Sequence, residues 1–219
     1  MADPMSRFKC RHERENAQMA RRYRLKARAQ RQEKNRQRIV EAAYQLHMTI
    51  GASRASTSAI ARLAGVRRPT VQRHFPDQLT LFMACTLHGM QLDPPPDPAA
   101  WQRVADPRHR LLVALCELYP SYRRHRAVYA DIPNFEGVPG LEALFAAQAQ
   151  QMEWQRGVLA EGWDVPDSRR ESLMAALGHA IDFWTWRSLT EGQGLDDEKA
   201  ALLMTEMVQG IEKANLSSG

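Results

Sequence analysis

An all-α fold is what this sequence predicts, and three observations carry the prediction. No stretch of strand length alternates apolar and polar residues with Val, Ile or Thr enrichment, and no two-residue hairpin turn joins such stretches. Apolar residues recur instead at three- and four-residue spacing, as in Ile39, Ala42, Ala43 and Leu46. Glycines and prolines fall between these periodic runs, where helices stop and start.

From Glu13 to Met48 the chain holds neither Pro nor Gly. Its first part has almost no apolar stripe, so it lacks the packing face from which most helices draw their stability. The periodic helix begins at Ile39 and Gly51 stops it. Ser56 or Thr57 can cap the next helix, whose Ile60, Ala61 and Ala64 face inward before Gly65. Pro69 fits the first turn of a third helix, where its missing N–H has no intrahelical partner. Phe75-Pro76-Asp77 closes that helix, and Asp77 caps a fourth that runs to about Met90. Pro94, Pro95 and Pro96 then make a stiff connection. Beyond it the spacing predicts helices over Arg108–Leu118 and Ser121–Tyr129, broken near Pro120, and a loop from Asp131 to Gly140. Further helices are expected over Leu141–Gly162 and from Ser168 to about Thr190. The second of these opens on Ser168 and Glu171 at capping-box spacing. A last helix covers Asp196 to about Lys213. The divisions expected are a basic arm over residues 1–34, a compact helical domain over 35–91, the Pro-rich connection over 92–98, and a larger helical domain over 99–215.

Charge separates these parts. The net charge of +5 over 219 residues hides +9 in residues 1–38, where thirteen Lys and Arg face Asp3, Glu13, Glu15 and Glu33. Residues 39–90 carry +3 and the remainder −7. A chain basic at one end and acidic at the other suggests a nucleic-acid-facing end and a body that stays off it. The three cysteines, Cys10, Cys85 and Cys116, are far apart and lack metal-ligand spacing, which favours reduced thiols in a cytoplasmic protein. None of the seven histidines pairs with Glu or Cys at ligand spacing, so neither metal nor cofactor is expected. No nucleophile elbow, P-loop or dinucleotide fingerprint occurs, which argues against an enzyme. Nothing approaches the apolar length of a membrane span, and no membrane partner is expected.

Two short helices joined at Gly65 make a helix-turn-helix whose second member enters the major groove of DNA with its N-terminal residues at base edges. Arg67 and Arg68 stand at the start of that helix, where the dipole disfavours cations by roughly 0.3–1 kcal/mol each. Opposing phosphate or guanine removes the conflict. The segment R-I-V-E-A-A-Y-Q-L followed by G-A-S-R-A-S-T-S-A-I-A-R-L-A-G-V-R-R-P-T-V-Q-R-H-F-P-D-Q-L-T-L-F resembles the N-terminal domain of TetR-family transcriptional regulators. The matching positions are Ile39, Ala42, Ala43, Gly51, Ile60, Ala61, Ala64, Gly65, Val66, Thr70, His74, Phe75, Leu81 and Phe82. The family usually has Ser or Thr in place of Arg67, Tyr in place of Gln72, Phe in place of His47 and Lys in place of Gln78. Added positive charge at Arg67, Arg68 and Arg73, together with the long basic arm, is expected to compensate for two backbone contacts of the family.

The resemblance implies a DNA-binding regulator, most simply a ligand-released repressor, acting as a homodimer on a palindromic double-stranded operator. Geometry proposes the roles on DNA. Arg68 makes a bidentate contact to guanine and Pro69 touches a thymine methyl. Thr70, Arg73 and His74 bind phosphate together with Ser56, Thr57 and Ser58, while Arg67 adds charge and Gln72 reads adenine or reaches backbone. The larger domain is the place for a small-molecule effector, with Tyr119, Tyr122, Tyr129, Phe145, Met152 and Trp184 as candidate lining. Leu173, Leu177, Ile181 and Trp184 form an apolar stripe at i, i+4, i+8 and i+11, and the first three are the candidate dimer interface. Two rivals are a helix-turn-helix protein without an effector and an enzyme carrying a DNA-binding head.

Overall fold

The structure is a computed structural model that describes residues 4–213, and among these residues there is no strand. It divides into two compact units. One comprises the chain up to Gln45 together with Ala55–His88, and the other comprises Leu46–Arg54 together with the chain from Gly89 on.

The first unit is built on most of α1 (Pro4–Ile50), α2 (Thr57–Ala64), α3 (Arg68–His74) and most of α4 (Gln78–Leu92). The arm expected over residues 1–34 is, from Pro4 onward, the same helix as the segment that carries Ile39. Ile39, Val40, Ala42 and Ala43 of α1 are buried with Ile60, Ala61, Ala64, Val71, Phe75, Leu81 and Cys85. Most of these side chains are small, which lets short helices approach closely. The Cys85 Sγ–H donates to the Val40 carbonyl at 3.7 Å, and burial pushes the thiol up to about 12.

The second unit contains α5 (Pro98–Trp101), α6 (Pro107–Arg124), α7 (Arg126–Asp131), α8 (Glu142–Ala160), α9 (Asp167–Ala180), α10 (Phe183–Arg187) and α11 (Asp197–Lys213). A 3-10 turn follows α7, and a π turn over Ser188–Gly192 follows α10. Trp101, Leu111, Leu115, Tyr119, Leu159, Leu173, Leu177 and Trp186 form the centre of its core, each essentially free of solvent.

Three expectations are corrected here. Pro120 does not break a helix: α6 runs through it to Arg124. Losing the N–H and crowding the preceding turn costs about 3 kcal/mol. Leu118, Tyr119 and Tyr122 flank Pro120 and are buried, each gaining about 1.5–3 kcal/mol from burial, so packing wins. Ser168 and Glu171 do not form a capping box, because α9 starts one residue earlier with Pro166 at its N-cap and no side-chain cap. The helix from Ser168 does not reach Thr190 either. It ends at Ala180, and Asp182 accepts from Trp184 N–H (2.7 Å) and Thr185 N–H (3.2 Å) to start α10. The break frees two carbonyls, and two tyrosines answer them. Tyr119 Oη donates to Ala180 O at 2.8 Å and Tyr122 Oη to Ile181 O at 2.5 Å.

Candidate nucleic-acid interface

Ser56 opens α2, its Oγ accepting from Ala59 N–H at 3.2 Å. The helix ends at Gly65, which lies in the left-handed region (φ 62°, ψ 37°) that a side chain would strain. Gly65 N–H and Val66 N–H turn back to Arg62 O and Ala61 O, closing the last carbonyls of α2. Arg67 is then extended and has no side-chain cap to offer α3, while Pro69 sits in the first turn. No acidic residue occupies that turn.

Val71 and Phe75 anchor α3 inward, at 1% and 4% exposure. Arg67, Arg68, Pro69, Gln72 and Arg73 consequently face solvent, and Thr70 and His74 are half-buried. Ser56 and Ser58 are exposed and Thr57 half-buried at the start of α2. The structure thus places all ten sequence-predicted residues on two short stretches of the helix-turn-helix. Ser56 already uses its hydroxyl as an acceptor within the cap, which leaves its O–H free to donate to a phosphate.

Two residues of this surface were not among the predicted ones. Arg36 of α1 lays its guanidinium over the Phe75 ring at 5.0 Å. Together with Ala29, Gln32, Glu33, Arg73 and His74 it lines a groove between α1 and α3. Arg38 lies against the turn, its Nη2 2.5 Å from where a Cβ on Gly65 would sit. The signal was available, since both arginines fall just before the first buried residue of α1, but charge on a helix without a stripe gives no direction. His74 Nε2 is buried without a partner in this groove. Burial, then Arg73 and Arg36, hold its imidazole below the usual histidine value, so it is neutral at pH 7.

In the second unit, Tyr119, Tyr122 and Tyr129 do come together. Tyr122 packs edge-on to Tyr129, Phe183 and Trp186, and Tyr129 stacks on Phe183 at 5.3 Å. Burial raises the phenol pKa of all three. Phe145 and Met152 lie on α8 outside this cluster, the first half-buried and the second exposed. Trp184 points outward, 47% exposed, with Arg187 over its ring at 5.3 Å, so it does not line an interior with the tyrosines.

Leu173, Leu177 and Ile181 are 0–2% exposed in a single chain. They fill this chain's own core and offer no surface to a partner, and the break at Ile181 takes Trp184 off their line. Large apolar side chains exposed on the helices of this unit include Met152 and Trp154 of α8, Trp184, and Leu202, Leu203 and Met207 of α11.

One residue outside every predicted set stands out. Asp131, at the end of α7, accepts from Ser53 N–H (2.7 Å), Ser53 Oγ (2.5 Å) and Asn134 Nδ2 (2.8 Å). A Cβ on Gly51 (φ 85°) would come within 2.9 Å of its carboxyl carbon. The turn that leads from α1 toward α2 is therefore moulded around this carboxylate, which glycine alone permits.

Residues 39–85 match the model of the family described as bacterial regulatory proteins, tetR family. They form a helix-turn-helix similar to that of this family. The fold is also that of solved TetR-like structures. A tetR-family transcriptional regulator from Streptomyces coelicolor is 18% identical, with a TM-score of 0.60 over 84% of this chain and 83% of that one. NalD of Pseudomonas aeruginosa, the secondary repressor of the MexAB-OprM multidrug efflux pump, is 21% identical, with a TM-score of 0.55 over 81% and 95%. A transcriptional regulator from Rhodococcus sp. Rha1 is 17% identical, with a TM-score of 0.56 over 82% and 96%. Among curated proteins there was no match. All ten sequence-predicted residues, from Ser56 to His74, lie within the matched segment. Among the described residues no helix is long and apolar enough to cross a membrane, and no three His, Cys, Asp or Glu side chains are grouped as metal ligands would be.

Proposed function

We propose that the protein is a cytoplasmic, homodimeric repressor that binds a palindromic operator and is released by a small molecule. The observation that carries the reading is the outward row Arg67, Arg68, Pro69, Gln72 and Arg73, held in place by Val71 and Phe75. Arg68 reaches guanine O6 and N7 in the major groove, and Pro69 meets a thymine methyl. Gln72 reads adenine or the backbone. Thr70, Arg73, His74 and the hydroxyls of Ser56, Thr57 and Ser58 hold phosphates and fix the register. The likeness to NalD, a repressor by its description, supports repression over activation.

Two heads are needed to read two half-sites, so a dimer is part of the proposal. Since Leu173, Leu177 and Ile181 are internal, the pairing surface is assigned to exposed residues of α8, led by Met152 and Trp154. Release by an effector works by population shift: a ligand that favours a spacing of the heads unsuited to the operator lowers DNA affinity by its differential affinity for the two states. The chain regulates and does not catalyse.

Mapping bound genomic fragments supplies the operator, after which substitutions test the roles. Arg68→Ala should cost about 1–3 kcal/mol on the cognate duplex and relax preference at one base per half-site. Arg73→Ala should weaken cognate and scrambled duplexes alike and lower the salt slope by about one unit per contact. If both variants bind as the parent does, α3 is not the reading helix. A second reading, a regulator without a small ligand, is favoured by one feature. The tyrosine cluster is filled by its own rings, with the Tyr119 and Tyr122 hydroxyls bonded to backbone. A thermal-shift screen of the purified dimer against small apolar and cationic compounds separates the two readings.

A further inference from the structure

The segment of α1 before the helix-turn-helix is charged well beyond what a solvated surface needs. Arg21, Arg22, Arg24, Lys26, Arg28, Arg31, Lys34, Arg36 and Arg38 stand in it against a single carboxylate, Glu33. All of these cations are exposed. At 100° per residue, Arg21, Arg24, Arg28, Arg31 and Arg38 fall within about 100° of arc, so they form one stripe along the helix. Arg38, at the lower end of the stripe, lies against Gly65 in the turn between α2 and α3. The stripe therefore begins on the side of α1 that meets the helix-turn-helix and leads away from it.

Nothing internal explains such a helix. Among the exposed apolar residues described there, Met19 and Tyr23 share one side and Leu25 lies away from them, which is too few for an apolar face. Like charges at three- and four-residue spacing weaken an isolated helix. This penalty is relieved beside a polyanion. A docking helix for another protein would need an apolar row that is missing here, whereas a line of guanidiniums on a rigid rod matches a phosphate backbone in spacing and charge.

We infer that the Arg21–Arg31 stripe is a second DNA-binding surface, which grips the phosphates of duplex flanking the site read by α3. This rests on the DNA-binding reading of the head and deepens it. The seventeen helical rises from Arg21 to Arg38 span about 25 Å, or roughly seven base pairs of duplex. The contacts are to backbone, so flank length matters and flank sequence does not. The helix makes the reach definite: a contact at Arg21 is delivered at a set distance from Arg38, which a flexible tail of equal charge cannot do.

The test compares the full chain with the variant carrying Arg21→Gln, Arg24→Gln, Arg28→Gln and Arg31→Gln. Glutamine keeps helix propensity and length while removing the charge. Both proteins are titrated with duplexes that carry the site selected from random DNA. One duplex is trimmed to the site and one is extended by about ten base pairs of arbitrary sequence on each side. The parent should bind the extended duplex at least about tenfold more tightly at moderate salt, with a steeper salt slope, and the variant should bind both duplexes as the parent binds the trimmed one. Equal binding of both duplexes by the parent overturns the inference while leaving the reading of α3 intact. A loss by the variant on the trimmed duplex also overturns it, because the stripe would then act at the site itself. If the variant is unchanged on DNA but loses affinity for single-stranded RNA or for vesicles rich in anionic lipid, the surface belongs to that partner instead. Failure of the parent to select any duplex removes the proposed function, and the inference with it. Circular dichroism of the variant confirms that helix content is kept, so a null result is not one of misfolding.

Discussion

Two groups of arginine in this molecule are used in opposite ways. Arg110 of α6 is 5% exposed, and its guanidinium donates to Val104 O (2.9 Å), Ala105 O (3.3 Å), Val158 O (3.2 Å) and Glu161 O (2.8 Å). Val158 O and Glu161 O lie at the end of α8, where backbone carbonyls run out of helical partners and a cation suits the dipole. Arg67 and Arg68 lie in the open at a helix start that would prefer a carboxylate, and Arg73 is exposed in the last turn of the same helix. One group completes the fold from within. The other is left incomplete at a small stability cost, which identifies a surface shaped for something outside the chain.

This contrast can be broken or sharpened by substitution. Leu177→Glu should have the largest effect. Placed in the sealed core of the second unit, a carboxylate costs more than about 4 kcal/mol and the unit should lose its cooperative melt by circular dichroism. A folded monomer by light scattering would show instead that Leu177 faces a partner. Arg110→Met keeps the aliphatic volume but strands several carbonyls, and should cost about 3 kcal/mol in urea denaturation with no specific effect on DNA contacts.

Asp131→Asn should cost less, about 1–2 kcal/mol at neutral pH, and its pH dependence is diagnostic. Burial alone would raise the Asp131 pKa, but bonds from the Ser53 hydroxyl and N–H, Asn134 and the Ala52 N–H together hold it below the usual carboxylate value. A group with a depressed folded pKa stabilises above its unfolded value and loses that contribution as pH falls through the folded one. The parent should therefore lose stability below about pH 4, and the Asn variant should lack that part of the slope. Burial holds His47 and His74 below the ordinary histidine value, so their loss begins near pH 6.5 and is separable. Arg67→Ser is the smallest change. A serine supplies the missing cap and removes a misplaced cation, so the free protein should gain about 0.3–1 kcal/mol in thermal melts while DNA affinity falls.

The sequence was most legible where a local rule has no competitor. Gly65 in the left-handed region, Pro69 in a first turn and Asp77 as a cap, accepting from Thr80 N–H at 2.6 Å, are each set by backbone chemistry alone. The predicted DNA-binding residues could be placed because they follow from that frame. Legibility failed where tertiary packing outvotes local preference. Pro120 reads as a break until the burial of its neighbours is known, and Ser168 reads as a cap until Pro166 takes the position. The stripe Leu173, Leu177, Ile181 has the spacing of an interface and equally of a core, and periodicity cannot tell inside from between. Asp131 was beyond reach for another reason. Its turn partner Ser53 is 78 residues away, and no local pattern records an acceptor for a turn so distant.

That separation also bears on how the chain is made. As the protein emerges from a ribosome, Gly51, Ala52 and Ser53 appear long before the carboxylate that fills their turn. At typical synthesis rates the interval for 78 residues is roughly 4 to 16 seconds. Over that time α2 and α3 have already been made, while the turn ahead of them still lacks its acceptor. A nascent chain paused in this window carries exposed arginines and an unfinished turn together, and only synthesis past Asn134 brings in the Asp131 carboxylate and the amide that braces it.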